Sequence, residues 1–409
     1  MRIAIVGAGI GGLSAGVGLQ RAGAQVTVLE RAAEVRAGGS GLSIFANGLR
    51  ALETLGLGPQ FAAITDRKAE SFAAGQRRPD GRWIARLPTD SVGELRIVDR
   101  ADLHQILLDA LDEGTVRTNA SVTSASIDGT VTIGQDAPEE FDLVIGADGL
   151  NSQVREAVEP GIGPRYSGYS CWRGITERPV DLDGAAGETV GRGLRFGIAP
   201  LKDGRVYWFA VANMPQHASF ADEKATVRDL FTGWHPPIGE LIAATPAKRF
   251  RRTAISDLAA PLPIYHRGRV VLLGDAAHAM TPNLGQGGGQ ALEDAATLTA
   301  LLAPVIADST NSATATDSPE QTGPVDSAHA NPTDSAAEVE VQLRRYDRLR
   351  RKRTQSIAAK SRTLGAVFQM QSPLLAGIRD AIFTAVPSKL TAAQAASVQK
   401  WEPPGGMTR

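Results

Sequence analysis

Four short runs along the chain are apolar on nearly every residue and close on glycine or an acid. Arg2-Ile3-Ala4-Ile5-Val6 leads into Gly7-Ala8-Gly9-Ile10-Gly11-Gly12, and Gln25 to Leu29 ends at Glu30. Asp142-Leu143-Val144-Ile145 ends in Gly146-Ala147-Asp148-Gly149, and Arg269 to Leu273 ends in Gly274-Asp275. Strands this apolar have both faces covered, as in a parallel sheet between helices. Leu13 to Ala22 carries its apolar residues at helical spacing, so the first 30 residues predict a β-α-β unit. From about Tyr166 to Ile264 the pattern changes to alternation, as in Leu194-Arg195-Phe196-Gly197-Ile198 and Arg205-Val206-Tyr207-Trp208-Phe209. Period two with aromatics predicts a half-buried antiparallel sheet. The fold expected is α/β: a discontinuous parallel-sheet domain over 1–70, 98–165 and 265–305, an antiparallel-sheet domain over 71–97 and 166–264, and a helical region over 338–409.

Composition changes this picture in two places. From Ala307 to Ala337, 26 of 31 residues are Ala, Ser, Thr, Asp, Asn or Pro, too little apolar surface to offset ordering entropy, and 307–337 is expected to be a disordered insert. After it, Arg344, Arg345, Arg348, Arg350, Arg351, Lys352 and Arg353 cluster on a helical pattern and read as a solvated face. The 43 basic and 44 acidic residues leave a net charge of -1, which argues against a nucleic-acid binder. Cys171 is the one cysteine of the sequence, so neither an intramolecular disulfide nor a cysteine metal cage is available. No apolar run approaches the ~18 residues of a membrane span, and Met1 to Val6 lead directly into a glycine turn. A cytoplasmic protein is expected.

Glycine accounts for 44 of 409 residues, above the usual ~7 %, and its placement carries chemistry. Gly7-x-Gly9-x-x-Gly12 follows a strand, opens a helix and meets Glu30 at the end of the next strand. That is the context of a Rossmann-like dinucleotide fingerprint: a tight turn, a close approach to pyrophosphate at a helix N-terminus, and an acid for a ribose hydroxyl. Asp142-Leu-Val-Ile-Gly-Ala-Asp148-Gly149-Leu-Asn-Ser152-Gln-Val-Arg155 resembles the Asp-Gly motif of the single-component FAD-dependent aromatic hydroxylases, typified by para-hydroxybenzoate hydroxylase. Gly268 to Gly288, with Gly274-Asp275, His278 and Pro282-Asn283-Leu-Gly285-Gln-Gly287-Gly288, resembles the same family's Gly-Asp motif and the loop after it. The three motifs stand in family order.

The resemblance implies bound FAD, held by Gly7, Gly9, Gly12, Glu30, Asp148, Asp275, Pro282, Gly285, Gly287 and Gly288. It carries further FAD contacts over to Arg31, Ser43, Arg100 and Val122, and more weakly to Gln105. His278 is read as structural. It also implies a monooxygenase that takes NADH or NADPH as a transient co-substrate and hydroxylates an aromatic or heteroaromatic small molecule with O2 through a flavin C4a-hydroperoxide. A single fingerprint, with no second β-α-β unit, counts against a resident NAD(P)H domain. The alternatives are a urate or purine-type hydroxylase and a flavin-binding reductase or carrier. Arg195 and Tyr207, on alternating strands, are the substrate-orienting candidates, and they match in spacing an Arg and a Tyr that contact substrate in FAD-dependent urate hydroxylases. Asn283 departs from those enzymes, which carry an Asp there, and a neutral amide cannot act as a base. Trp172, Arg173 and Trp208 line either the pocket or, for the tryptophans, the core. A monomer or homodimer is expected.

Overall fold

A computed structural model of the chain describes residues 1–35, 40–87, 93–314 and 332–405. The four apolar runs form one sheet. Its order is His266–Arg267, Val270–Leu272, Leu143–Gly146, Arg2–Val6, Gln25–Leu29 and Val116–Arg117, parallel throughout except for the His266–Arg267 edge. Ile3, Ala4, Ile5, Val144 and Val271 are fully buried. They sit between covering layers, and each buried branched side chain contributes roughly 1.5–3 kcal/mol. Helices Ile10–Arg21 and Gly287–Thr314 pack against each other over this sheet.

The alternating segments form a second sheet of seven strands in the order Arg251–Leu258, Pro164–Ile175, Val206–Asn213, Leu194–Pro200, Gly187–Val190, Ala74–Arg77 and Trp83–Leu87. It is antiparallel apart from the pairing of Gly187–Val190 with Ala74–Arg77. One face carries Trp172, Phe196, Trp208, Ala210 and Phe250 against helices Glu223–Leu230 and Ile238–Ala243. Trp172 and Trp208 are therefore core residues, not pocket walls. Their indole N–H groups are satisfied there by Glu223 Oε2 at 2.5 Å and Thr245 Oγ1 at 2.8 Å, as buried indoles require.

Two expectations need correction. The flanks of the 307–337 insert are helical: 307–314 complete helix Gly287–Thr314, and 332–337 begin helix Pro332–Phe368. These flanks are rich in Ser, Thr and Asp, weak helix formers, so the helix here is extended from the packed turns beside it rather than by propensity. Residues 315–331 lie outside the described residues. The basic cluster is not uniformly a solvated face either. Arg350 is buried against Glu293 and Asp294 of helix Gly287–Thr314, and Arg353 pairs with Glu293 at 2.7 Å. Arg344, Arg345, Arg348 and Lys352 do face solvent. Helices Pro373–Ala385 and Ser388–Gln399 complete the C-terminal region. No helix among the described residues is long and apolar enough to cross a membrane.

Candidate active site

The turn after the first strand is built by close backbone approach. Gly7 N–H donates to Leu29 O at 2.8 Å, and a Cβ on Gly12 would lie 2.0 Å from Gly7 O. At Gly9 a Cβ would meet nothing within 4 Å. Gly9 is the N-cap of helix Ile10–Arg21, which has neither a side-chain cap nor an acid in its first turn. Its free N–H groups and partial positive charge therefore face open space, the setting for a pyrophosphate. Glu30 stands beside it, taking the Ala8 and Ala32 N–H groups, both at 2.9 Å.

A second group converges on the ends of the neighbouring strands. Asp275 opens the short helix Asp275–His278 after Gly274 and has no hydrogen-bond partner among the described residues. Its carboxylate is open to a cleft rather than to bulk water: burial pushes the carboxyl up, opposed by His278 and Arg100. An unpartnered carboxylate in a desolvated cleft suits a polyol hydroxyl donor. Arg100 is exposed, follows the capping Asp99, and ties its N–H to Ser40 O at 2.9 Å. Gly285 adopts a left-handed turn at φ 62°, and Gly287, at the start of helix Gly287–Thr314, leaves a Cβ-sized opening.

The remaining expected contacts are placed less directly. Asp148 takes Ser152 Oγ at 2.5 Å, Gln153 N at 2.7 Å and Val154 N at 3.2 Å, so its carboxylate caps its own turn. Arg155 is buried and binds the carbonyls of Leu150, Ile162 and Ala276, which ties the Asp148 turn to the Asp275 helix. Arg31 and Pro282 are exposed, and Ser43 is half-buried on strand Gly41–Phe45. Val122 is in the core, and Gly288 packs on Leu42. Gln105 is exposed and bonds Asp109 within its own helix. His278 is buried against Asp294 at 2.5 Å. Burial opposes ionisation of Asp294, but His278 and Arg350 outweigh it and hold the carboxyl at about 2.

The other face of the seven-stranded sheet supplies the rest. Tyr207 pairs with Ala199 in register, and Arg195 lies four residues before Ala199 on the same strand. Both side chains therefore share the face opposite Trp208. Arg173 shares it too, through its pairing with Phe209. Tyr207 packs on Gly41, where a Cβ would lie 2.1 Å from its ring, and burial pushes its hydroxyl well up. Arg195 is 1 % exposed. Its guanidinium reaches Gln369 Oε1 at 3.0 Å, Asn283 Oδ1 at 2.7 Å and Glu188 Oε2 at 3.4 Å. Asn283 Nδ2 lies 3.0 Å from Tyr169 Oη and 2.9 Å from both Thr281 Oγ1 and Ser361 O. Sequence reasoning missed Glu188 and Gln369. Glu188 shares a face with Val190 on a strand of four residues, a signal too common to single it out. Burial pushes its carboxyl up against the pull of Arg195.

The FAD binding domain family matches residues 1–322. The chain belongs to this family of FAD-dependent aromatic hydroxylases. It binds FAD and is a flavin monooxygenase, an oxidoreductase of a family in which NAD(P)H is the usual co-substrate. It is 37 % identical to the aurachin C monooxygenase/isomerase of Stigmatella aurantiaca, over 73 % of this chain and 79 % of the relative. It is 35 % identical to the 2-heptyl-3-hydroxy-4(1H)-quinolone synthase of Pseudomonas aeruginosa, over 72 % and 79 %. The crystal structure of Klebsiella pneumoniae HpxO with FAD and uric acid superposes with a TM-score of 0.79 and 27 % identity, covering 98 % of this chain and 96 % of that one. The glycine turn, the open helix end at Gly9 and the unpartnered Asp275 fit such a dinucleotide.

Proposed function

We propose that this hydroxylase acts on a neutral N-heteroaromatic ring of the 4-quinolone type, and that Arg195, Tyr207 and Asn283 orient it. Bound and reduced FAD supplies the activated oxygen; the chain binds, orients and shields. Gly7, Gly9, Gly12 and the first helix end hold the pyrophosphate, with Glu30 on a ribose. Asp275 and Arg100 take the ribityl side, and the Pro282–Gly288 turn with the helix end at Gly287 and Gly288 faces the ring system. Arg31, Ser43 and Val122 are secondary contacts, and Asp148 acts by shaping its turn.

The observation that carries the substrate reading is the state of Asn283. It is clamped between Arg195 and Tyr169, and an amide takes up no proton, so this position offers a ring no base. Three of the five N–H donors of Arg195 are engaged by Gln369, Glu188 and Asn283, leaving two for a ring carbonyl. Tyr207, held protonated by burial, can donate as well. A keto-heteroaromatic meets this set without a base; the quinolone synthase relative supports that class, and HpxO with uric acid supports the competing purine reading. We place the protein in the cytosol as a monomer or homodimer.

The test is FAD-loaded protein assayed for NAD(P)H oxidation stimulated by 2-heptyl-4(1H)-quinolone and by urate, with mass spectrometry of the product. The quinolone gains one oxygen atom and urate is inert if the reading holds. Turnover of urate alone refutes it.

A further inference from the structure

A basic pocket lies apart from the residues assigned above. It has a volume of about 240 Å³ and is lined by Asp99, Ile175, Arg205, Lys248, Arg249 and Arg251. Its position follows from the register. Ile175 pairs with Tyr207 and Arg251 with Arg173, so the pocket is cut into the end of the sheet that carries the ring-orienting residues. Its far wall is Asp99, the residue before Arg100. The pocket therefore lies between the end of the seven-stranded sheet and strand Leu95–Asp99, which leads into Arg100.

Its charge is unbalanced in a chain whose net charge is -1. Four cations line it against one carboxylate, Asp99, which already takes the Ala101 N–H at 3.1 Å, while Asp203 outside the pocket holds Arg205 at 2.6 Å. Lys248, Arg249 and Arg251 make no ion pair among the described residues. Arg251 is aimed by a hydrogen bond from its Nη1 to the Lys248 carbonyl at 3.1 Å. Two or three guanidinium forks around a small cavity match phosphate oxygens bidentately.

Accepting the flavin monooxygenase assignment and the proposed FAD site, the chain needs a seat for a second dinucleotide. It has one glycine fingerprint, whose helix end takes the FAD pyrophosphate, so the reducing dinucleotide has no helix end of its own to use. We infer that the pocket of Arg205, Lys248, Arg249 and Arg251 receives the phosphate groups of the reduced nicotinamide dinucleotide during its transient visit, with its nicotinamide reaching past Ile175 toward the flavin cleft.

The test uses FAD-loaded protein and isothermal titration with 2′,5′-ADP, 5′-ADP and inorganic pyrophosphate, in the native chain, in the double variant Lys248→Ala/Arg249→Ala, and in Arg117→Ala as a surface control. An adenosine phosphate binds the native protein, is displaced by NADH or NADPH, and weakens with salt. In the double variant it binds about tenfold more weakly, equivalent to ~1.4 kcal/mol, and the KM for the dinucleotide rises by a similar factor. The FAD content and the rate at saturating dinucleotide stay unchanged. Binding in the double variant equal to native overturns the inference, as does pyrophosphate binding that no dinucleotide displaces. Failure of the quinolone reading is distinguishable, because it removes ring turnover while leaving dinucleotide binding and its loss in the double variant intact.

Discussion

Replacing Arg350 by Met tests whether a buried ion cluster docks the long C-terminal helix and supports the flavin cleft. The Arg350 side chain is 1 % exposed, and Glu293 and Asp294 are fully buried. Its Nε lies 2.6 Å from Asp294 Oδ1, Nη1 meets Glu293, and Nη2 reaches Gln290 Oε1 at 2.8 Å. After the change Glu293 keeps Arg353 and Asn47, but Asp294 keeps only His278 and the Gly274 N–H, at 2.8 Å. Breaking one side of a buried pair costs about 3–5 kcal/mol, because a desolvated charge is left behind. Burial disfavours the Asp294 carboxylate, and its cations reverse this, holding it at about 2 against an ordinary 3.8. A depressed folded value contributes stability that is complete above the unfolded value near 4 and is lost as pH falls through about 2. That contribution is about 2 kcal/mol. Urea unfolding at fixed FAD concentration, followed by circular dichroism and flavin fluorescence, should show the loss at pH 7. Acid titration should show Arg350→Met unfolding at a higher pH than the native chain. FAD affinity should fall as well, since Asp294 holds the Gly274 N–H next to Asp275. A loss below about 1 kcal/mol with an unchanged acid limb would refute the reasoning, and the helix would then be docked by its apolar residues alone.

Other outcomes follow from the same geometry. Gly12→Ala places a methyl 2.0 Å from the Gly7 carbonyl and should abolish FAD retention, read from flavin absorbance of the purified protein, along with a clear fall in thermal stability. Gly9→Ala adds a methyl to open space; it should leave the FAD-free melting temperature within a degree or two and weaken FAD by tenfold or more. Retention of full affinity would mean that no pyrophosphate approaches there. Asp275→Asn should lower FAD affinity while leaving the FAD-free protein as stable as the native chain, or more so at pH 7, because burial penalises the carboxylate it removes; a fall in FAD-free stability contradicts this. Asn283→Asp sets a carboxylate 2.7 Å from Arg195 Nη2 but against the Ser361 carbonyl. It should reduce quinolone turnover and raise binding of urate, followed by flavin difference spectra.

What the chain disclosed without its fold was the part written in consecutive residues. A strand covered on both faces is apolar at nearly every position, so Arg2–Val6 and Val270–Leu272 were legible, and so were the turns at their ends. There the backbone must crowd, and only glycine serves at Gly7 and Gly12. Alternation also marked Arg195 and Tyr207 as candidates, but the register of their two strands put them on one face. Nor could alternation say which face is covered, and the helices Glu223–Leu230 and Ile238–Ala243 put Trp172 and Trp208 in the core instead. Long-range pairing was hidden for a related reason. Arg350 and Arg353 looked like solvent-facing charges because their acids, Glu293 and Asp294, lie on another helix more than 50 residues earlier. The partners of Arg195 were hidden in the same way, because Gln369 and Asn283 stand 174 and 88 residues away. Local sequence records the periodicity and backbone demands of each element. Whether a charge ends in water or in an ion pair is settled by which elements pack together, because desolvation and Coulomb attraction act between groups brought close in space.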